Sequence, residues 1–104
     1  MLSGPLAHCD LLLTPVIRTR VPYAEAVSAT QGTALDAVIG ELSALTRTIS
    51  MLGFPALVTP MGADPNGLPI ALQLIGSPLS EALLLRVGHA FELATEWTRR
   101  RPLL

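Results

Sequence analysis

Residues 67–76 read Gly67-Leu68-Pro69-Ile70-Ala71-Leu72-Gln73-Leu74-Ile75-Gly76, an apolar run that opens and closes on glycine and holds one uncharged amide at its centre. Side chains alternate along a strand, so Ile70, Leu72 and Leu74 point one way and Ala71, Gln73 and Ile75 the other. Both faces are therefore mostly dry. A strand of that kind needs a layer above it and a layer below. The run thus sets the fold class as α/β, and the rest of the chain is read by asking what could cover it.

Immediately before the run, Ala63-Asp64-Pro65-Asn66-Gly67 is turn chemistry, with Pro65 presetting φ and Asn66-Gly67 supplying positive φ without steric cost. Before the turn, Pro55-Ala56-Leu57-Val58-Thr59-Pro60 is a second apolar strand, so the pair is expected to form a hairpin. Asp10-Leu11-Leu12-Leu13-Thr14-Pro15 has the same form, an even apolar run stopped by proline, and reads as a third strand covered on both faces. Between them, Val16 to Gln31 reads as a surface connection with a turn of helix in Tyr23 to Ala29.

From Thr33 the apolar spacing changes to three and four residues, through Leu35, Val38, Ile39, Leu42, Leu45 and Ile49, which predicts a helix ending at Gly53. Thr33 and Asp36 have capping-box spacing. After the opening strand, Ser77 or Ser80 is expected to cap a last helix. Its apolar side would carry Leu83, Val87, Ala90, Phe91, Ala94 and Trp97, and Arg99-Arg100-Arg101 would complement its C-terminal dipole.

Three doubly dry strands against two convincing helices leave a covering layer missing. Composition agrees: 50% of the 104 residues are hydrophobic and 14% charged, and a domain this small buries only about two thirds of its unfolded surface. A net charge of −1 gives no field for attracting phosphates, so nucleic acid is not expected as a ligand. The N-terminal fifteen residues match neither a signal peptide nor a membrane span, because His8, Cys9, Asp10 and Pro15 interrupt the apolar run. Cys9 is the lone cysteine and is read as a small buried hydrophobe, which excludes an internal disulfide and suits the cytoplasm.

The chemistry is sparse. All seven basic residues are arginine, so a mechanism that needs a neutral amine as base is closed to this chain alone. His8, Cys9 and Asp10 are neighbours on an extended chain and point to alternate faces, so they form no relay. His89 pairs naturally with Glu92 three residues on, as an exposed histidine. One cysteine and two distant histidines offer no metal-ligand spacing, and no G-x-S-x-G elbow or glycine-rich phosphate loop occurs. No cofactor and no metal are expected.

The order of the motifs carries a resemblance. Asp10-Leu11-Leu12-Leu13-Thr14-Pro15, then Leu45-Thr46-Arg47, Gly53-Phe54-Pro55-Ala56-Leu57-Val58-Thr59-Pro60, the opening stretch, Glu81-Ala82-Leu83-Leu84 and Trp97 together resemble the C-terminal part of amidase signature family hydrolases. The resemblance runs from Asp10 to Pro102 and implies a partial α/β/α sandwich with a mixed sheet covered by helices on both faces. It makes residues 1–104 a single partial domain, the C-terminal segment of an amidase signature domain.

What the resemblance implies about activity is cleavage of carboxamide C–N bonds by a serine nucleophile, a bridging serine in a cis peptide and a lysine, through an acyl-enzyme. Those residues belong to a glycine- and serine-rich region upstream of the matched part, so none is carried over to this chain. Met1 falls just before the matched part, which suggests a truncated, split or remnant reading frame. In the glutamine-using tRNA amidotransferase branch, an acidic residue that helps hold substrate falls near Ser43. A serine there points to a general small-amide hydrolase as the parent, with Ser43 and Thr46 as the substrate-pocket candidates. Departures accompany this: Ser50 stands where many members have asparagine, and Thr48 where a proline is usual.

Two functional readings follow. In the first, the chain is the C-terminal part of an amidase, structural and pocket-lining, completed by the N-terminal amidase region and then acting on a small-molecule amide. In the second it is a small non-enzymatic α/β interaction module that binds a partner, or a second copy of itself, through an exposed sheet face.

Overall fold

The structure, a computed structural model, describes residues 4–102. Three strands, β1 (Leu11–Pro15), β2 (Ala56–Ala63) and β3 (Pro69–Gly76), form one sheet in the order β1-β3-β2, so the opening stretch is its central strand. Both pairings are antiparallel. The mixed sheet that the resemblance implies for the parent fold is thus represented here by a wholly antiparallel portion.

The β2–β3 hairpin forms where the turn residues place it. The Asp64 carboxylate accepts from the backbone N–H of Asn66 at 2.8 Å and of Leu68 at 2.9 Å, and Gly67 takes φ 82°, which a side chain would resist. A register shift between Pro60 and Gly62 makes Met61 a bulge residue, consistent with a proline that cannot donate to the ladder.

Helix α1 (Ala24–Ser28) is the short turn expected after Tyr23, and α2 (Thr33–Leu52) is the long helix. Gly53 ends α2 in the left-handed conformation, donating to Ile49 O and Ser50 O. The N-terminal capping box does not form. Gly32 is the cap, Thr33 is already helical, and no side-chain cap bond is made, so Thr33 stands one position too late to cap. Helix α3 (Glu81–Ala94) begins after Ser80, whose hydroxyl donates to Ser77 O at 2.6 Å instead of capping.

The apolar face of α3 also differs from the expectation. Leu84 and Gly88 are the buried residues and Val87 and Phe91 pack beside them, whereas Ala90 and Ala94 are exposed. Gly88 explains the rotation: without a side chain it lets the helix seat directly on Leu57 of β2. Trp97 lies outside the helix, in a 3-10 turn spanning Trp97–Arg99 that packs against β2. The arginines therefore do not serve the dipole of α3, which ends at Ala94. Arg99 faces Glu96 at 3.9 Å, Arg100 stacks over the Trp97 ring at 4.5 Å, and Arg101 donates to Thr98 O and Arg100 O.

The core is small. Leu72, Leu74 and Leu84 form it on the α3 side of the sheet, with Leu11, Leu57, Val87 and Phe91 packed around, and Ile75 is buried on the opposite face. Only Leu72 to Gly76 of the central strand is buried, so the doubly dry character predicted for the whole run holds for its second half. The outer strands are less covered than their sequences require: Leu13 of β1 is 66% exposed and Val58 of β2 is 51% exposed. No residue of α2 is buried.

The dimensions match this undercoverage. The principal extents of the molecule are 44 × 34 × 16 Å. Its radius of gyration is 15.9 Å, against roughly 13 Å for a compact domain of this length. It exposes 7775 Å², where a folded monomer of its mass exposes roughly 5,600 Å².

Candidate functional site

Ser43 and Thr46 lie one turn apart on α2, both half-buried. The spacing of three places them on one face of the helix. Ser43 Oγ donates to Ile39 O at 2.7 Å and Thr46 Oγ1 donates to Ser43 O at 3.3 Å, the back-bonding typical of hydroxyl residues within helices. With their protons engaged, both oxygens are left as acceptors. That arrangement suits an incoming N–H, such as that of a carboxamide, and leaves neither hydroxyl activated as a nucleophile, since each donates to a backbone carbonyl and among the described residues to no base.

Two side chains tie this part of α2 to the rest of the molecule, and sequence reading singles out neither for that role. Gln73, 3% exposed on the face of β3 opposite the leucine core, donates from Nε2 to Thr14 Oγ1 at 3.3 Å and to Leu45 O of α2 at 3.4 Å. Arg18, just after β1, makes a two-pronged ion pair with Glu41 of α2, Nη2 to Oε1 at 2.7 Å and Nε to Oε2 at 3.1 Å. The Arg18 guanidinium holds the Glu41 carboxyl below its ordinary value by hydrogen bonding and then by charge, and Glu41 in turn raises Arg18. The available signal is the amide itself, alone in an apolar strand. Nothing local distinguishes Arg18 or Glu41 from surface charges.

Two grooves border the same region. One of about 350 Å³ runs between the Val16 to Val21 segment and the start of β3 at Leu68 to Ala71, and one of about 290 Å³ lies between Thr19, Arg20, Pro22 and the α2 residues Ala37, Val38, Glu41 and Leu42. Neither is lined by Ser43 or Thr46. The structure therefore brings the two candidates together on a helix face, without enclosing them.

The remaining candidates are dispersed. His8, Cys9 and Asp10 are exposed, and Cys9 Sγ donates to Pro5 O at 3.1 Å. The reading of Cys9 as a buried hydrophobe is corrected: it lies just before β1, outside the strand, and is exposed. His89 Nδ1 lies 3.8 Å from Glu92, as the spacing predicts. Among the described residues no group of three His, Cys, Asp or Glu side chains could hold a metal ion, and no helix is long and apolar enough to cross a membrane.

Comparison with known proteins supplies the context for this open site. The Amidase family model matches residues 2–85. A glutamyl-tRNA(Gln) amidotransferase subunit from Ralstonia pickettii (strain 12J) is 32% identical over 102 residues, covering 98% of this chain and 19% of that protein. The corresponding protein of Chloroflexus aggregans (strain MD-66 / DSM 9485) is 54% identical over 57 residues, covering 55% of this chain and 12% of that protein. The solved structure of 6-aminohexanoate cyclic dimer hydrolase superposes with a TM-score of 0.79 at 30% identity, over 92% of this chain and 21% of that one. The chain thus spans about a fifth of the length of the relatives it matches almost from end to end.

Proposed function

This chain belongs to the amidase family, and from that membership we propose that it is the C-terminal part of a carboxamide C–N hydrolase, whose catalytic region lies outside residues 1–104. The observation that carries the proposal is the mismatch of coverage: 98% of this chain aligns with 19% of an amidase relative. The shortfall of cover on its own sheet supports the same reading. So does its chemistry, because the serine–serine–lysine machinery implied by the family resemblance needs a lysine, and arginine, protonated at any working pH, cannot replace it as a base.

In this reading residues 1–104 are one partial domain. The three strands extend a larger sheet, α3 covers one face, and α2 contributes a pocket wall on which Ser43 and Thr46 accept hydrogen bonds from the substrate. The substrate is a small-molecule amide. Ser43 provides a neutral acceptor where the resemblance implies an acidic side chain in the amidotransferase branch, which favours an uncharged amide over one carrying an ammonium group. The partner is the polypeptide bearing the N-terminal amidase region. Cytoplasmic residence belongs to the same proposal and rests on the single cysteine.

The test is ammonia release from simple primary carboxamides. The chain alone is expected to release none, and the chain mixed with a polypeptide carrying the serine- and lysine-containing region of an amidase is expected to release it catalytically. Turnover by the purified chain unaided would contradict the proposal. A second reading, a non-enzymatic module pairing with its own copy, draws on the exposure of Leu13 and Val58 on the two edge strands. It requires a homodimer in sedimentation.

A further inference from the structure

Helix α2 presents a mechanical problem that its sequence does not solve. It is twenty residues long, none of them buried, so apolar packing alone does not fix its position against the sheet. Its middle turn is nonetheless attached at two points four residues apart: Glu41, held by Arg18, and the Leu45 carbonyl, held by Gln73. Ser43 lies between them.

We infer that Gln73 is a positioning residue, whose buried amide fixes the Glu41–Leu45 turn of α2 against the sheet and so sets where Ser43 and Thr46 stand. The chemistry favours this over simple core filling. A buried amide left without partners is costly, on the scale of a lost hydrogen bond or more, so the side chain is held to geometries that satisfy it. One of its two N–H bonds goes to Thr14 of the neighbouring strand, which fixes the amide plane relative to the sheet. The other goes to α2, which transmits that orientation to the helix. Leucine or methionine at position 73 would fill the same space and transmit none of it. Arg18 serves as the outer tether, exposed to solvent and correspondingly weaker.

The role of Gln73 in holding α2 stands on the structure, while its consequence for substrate rests on the reading of Ser43 and Thr46 as pocket residues. Both parts are separable by experiment. In the 104-residue chain, Gln73→Met is expected to speed amide hydrogen exchange in Leu42 to Ile49 by tenfold or more while leaving α3 unchanged. Equal acceleration in both helices, or none in α2, would overturn the positioning role. Should Gln73→Met not fold, the unsubstituted chain decides: the Gln73 side-chain N–H₂ protons are expected to be protected and to show nuclear Overhauser contacts to Leu45 and Thr14, and their free exchange would overturn the inference. In a completed enzyme, Gln73→Met is expected to raise KM at least tenfold with kcat little changed, and an equal fall in kcat would contradict a pocket-wall role. Loss of α2 protection together with failure of any completed enzyme to hydrolyse amides would leave the positioning role standing and sink the functional proposal.

Discussion

Leu74→Ala is expected to abolish the cooperative thermal transition of this chain. Leu74 is 5% exposed, sits opposite Leu13 on β1 and Leu57 on β2, and belongs to the three-leucine cluster with Leu72 and Leu84. Truncating a buried leucine costs about 2–5 kcal/mol once the cavity is included. With four buried apolar side chains among the described residues, each worth about 1.5–3 kcal/mol, the chain has little reserve beyond that. Leu79→Ala serves as the control. Leu79 is 92% exposed, and its truncation is expected to change stability by no more than about 0.5 kcal/mol. Differential scanning calorimetry of both variants decides it, and a cooperative Leu74→Ala melt within about 3 °C of the parent would contradict the core assignment.

The second large effect is a difference of sign between two glycines. Gly40 and Gly88 both lie inside helices, where replacing glycine by alanine ordinarily stabilises by about 1 kcal/mol. A methyl group at Gly40 meets nothing within 4 Å, so Gly40→Ala is expected to gain that amount. At Gly88 the added carbon runs into the end of the Leu57 side chain, which is itself packed against the leucine cluster and must change rotamer. Overpacking of this kind costs about 1–3 kcal/mol and outweighs the propensity gain. Gly88→Ala is therefore expected to lower the urea midpoint while Gly40→Ala raises it. Midpoints shifted in the same direction would mean that α3 does not rest on β2 through Gly88.

The same residues explain how far the amino-acid sequence can be read. The hairpin is legible because Pro65, Asn66 and Gly67 act locally, through φ and through one carboxylate, and no distant contact competes with them. The end of α2 at Gly53 is legible for the same reason. The apolar stripe of α3 is misplaced by periodicity because periodicity weighs side chains, and the residue that decides the seating of that helix has none. Cys9 escapes prediction because residue type argues for burial, while its position just before β1, outside the strand, leaves it exposed. Of the candidate site, the helix bearing Ser43 and Thr46 can be read from spacing, and the family can be read from motif order. The tethers cannot: Gln73 to Leu45 spans 28 residues and Arg18 to Glu41 spans 23, and pairings at that separation are set by the topology of the sheet.

The missing cover is what unites these observations. Leu13 and Val58 are apolar, sit on the two outer strands and face solvent, while the molecule exposes about 2,000 Å² more than a folded monomer of its mass. On the proposed reading, an amidase region lacking the corresponding fifth is expected to present the complementary surface. The direct measurement is sedimentation velocity of the purified chain mixed with such a truncated amidase, with hydrogen exchange on β1 and β2 in the same samples. A one-to-one complex in which the amides of both outer strands become protected is the predicted result. A chain that remains a lone monomer in the mixture, with β1 and β2 already protected to the level of β3, would contradict the account.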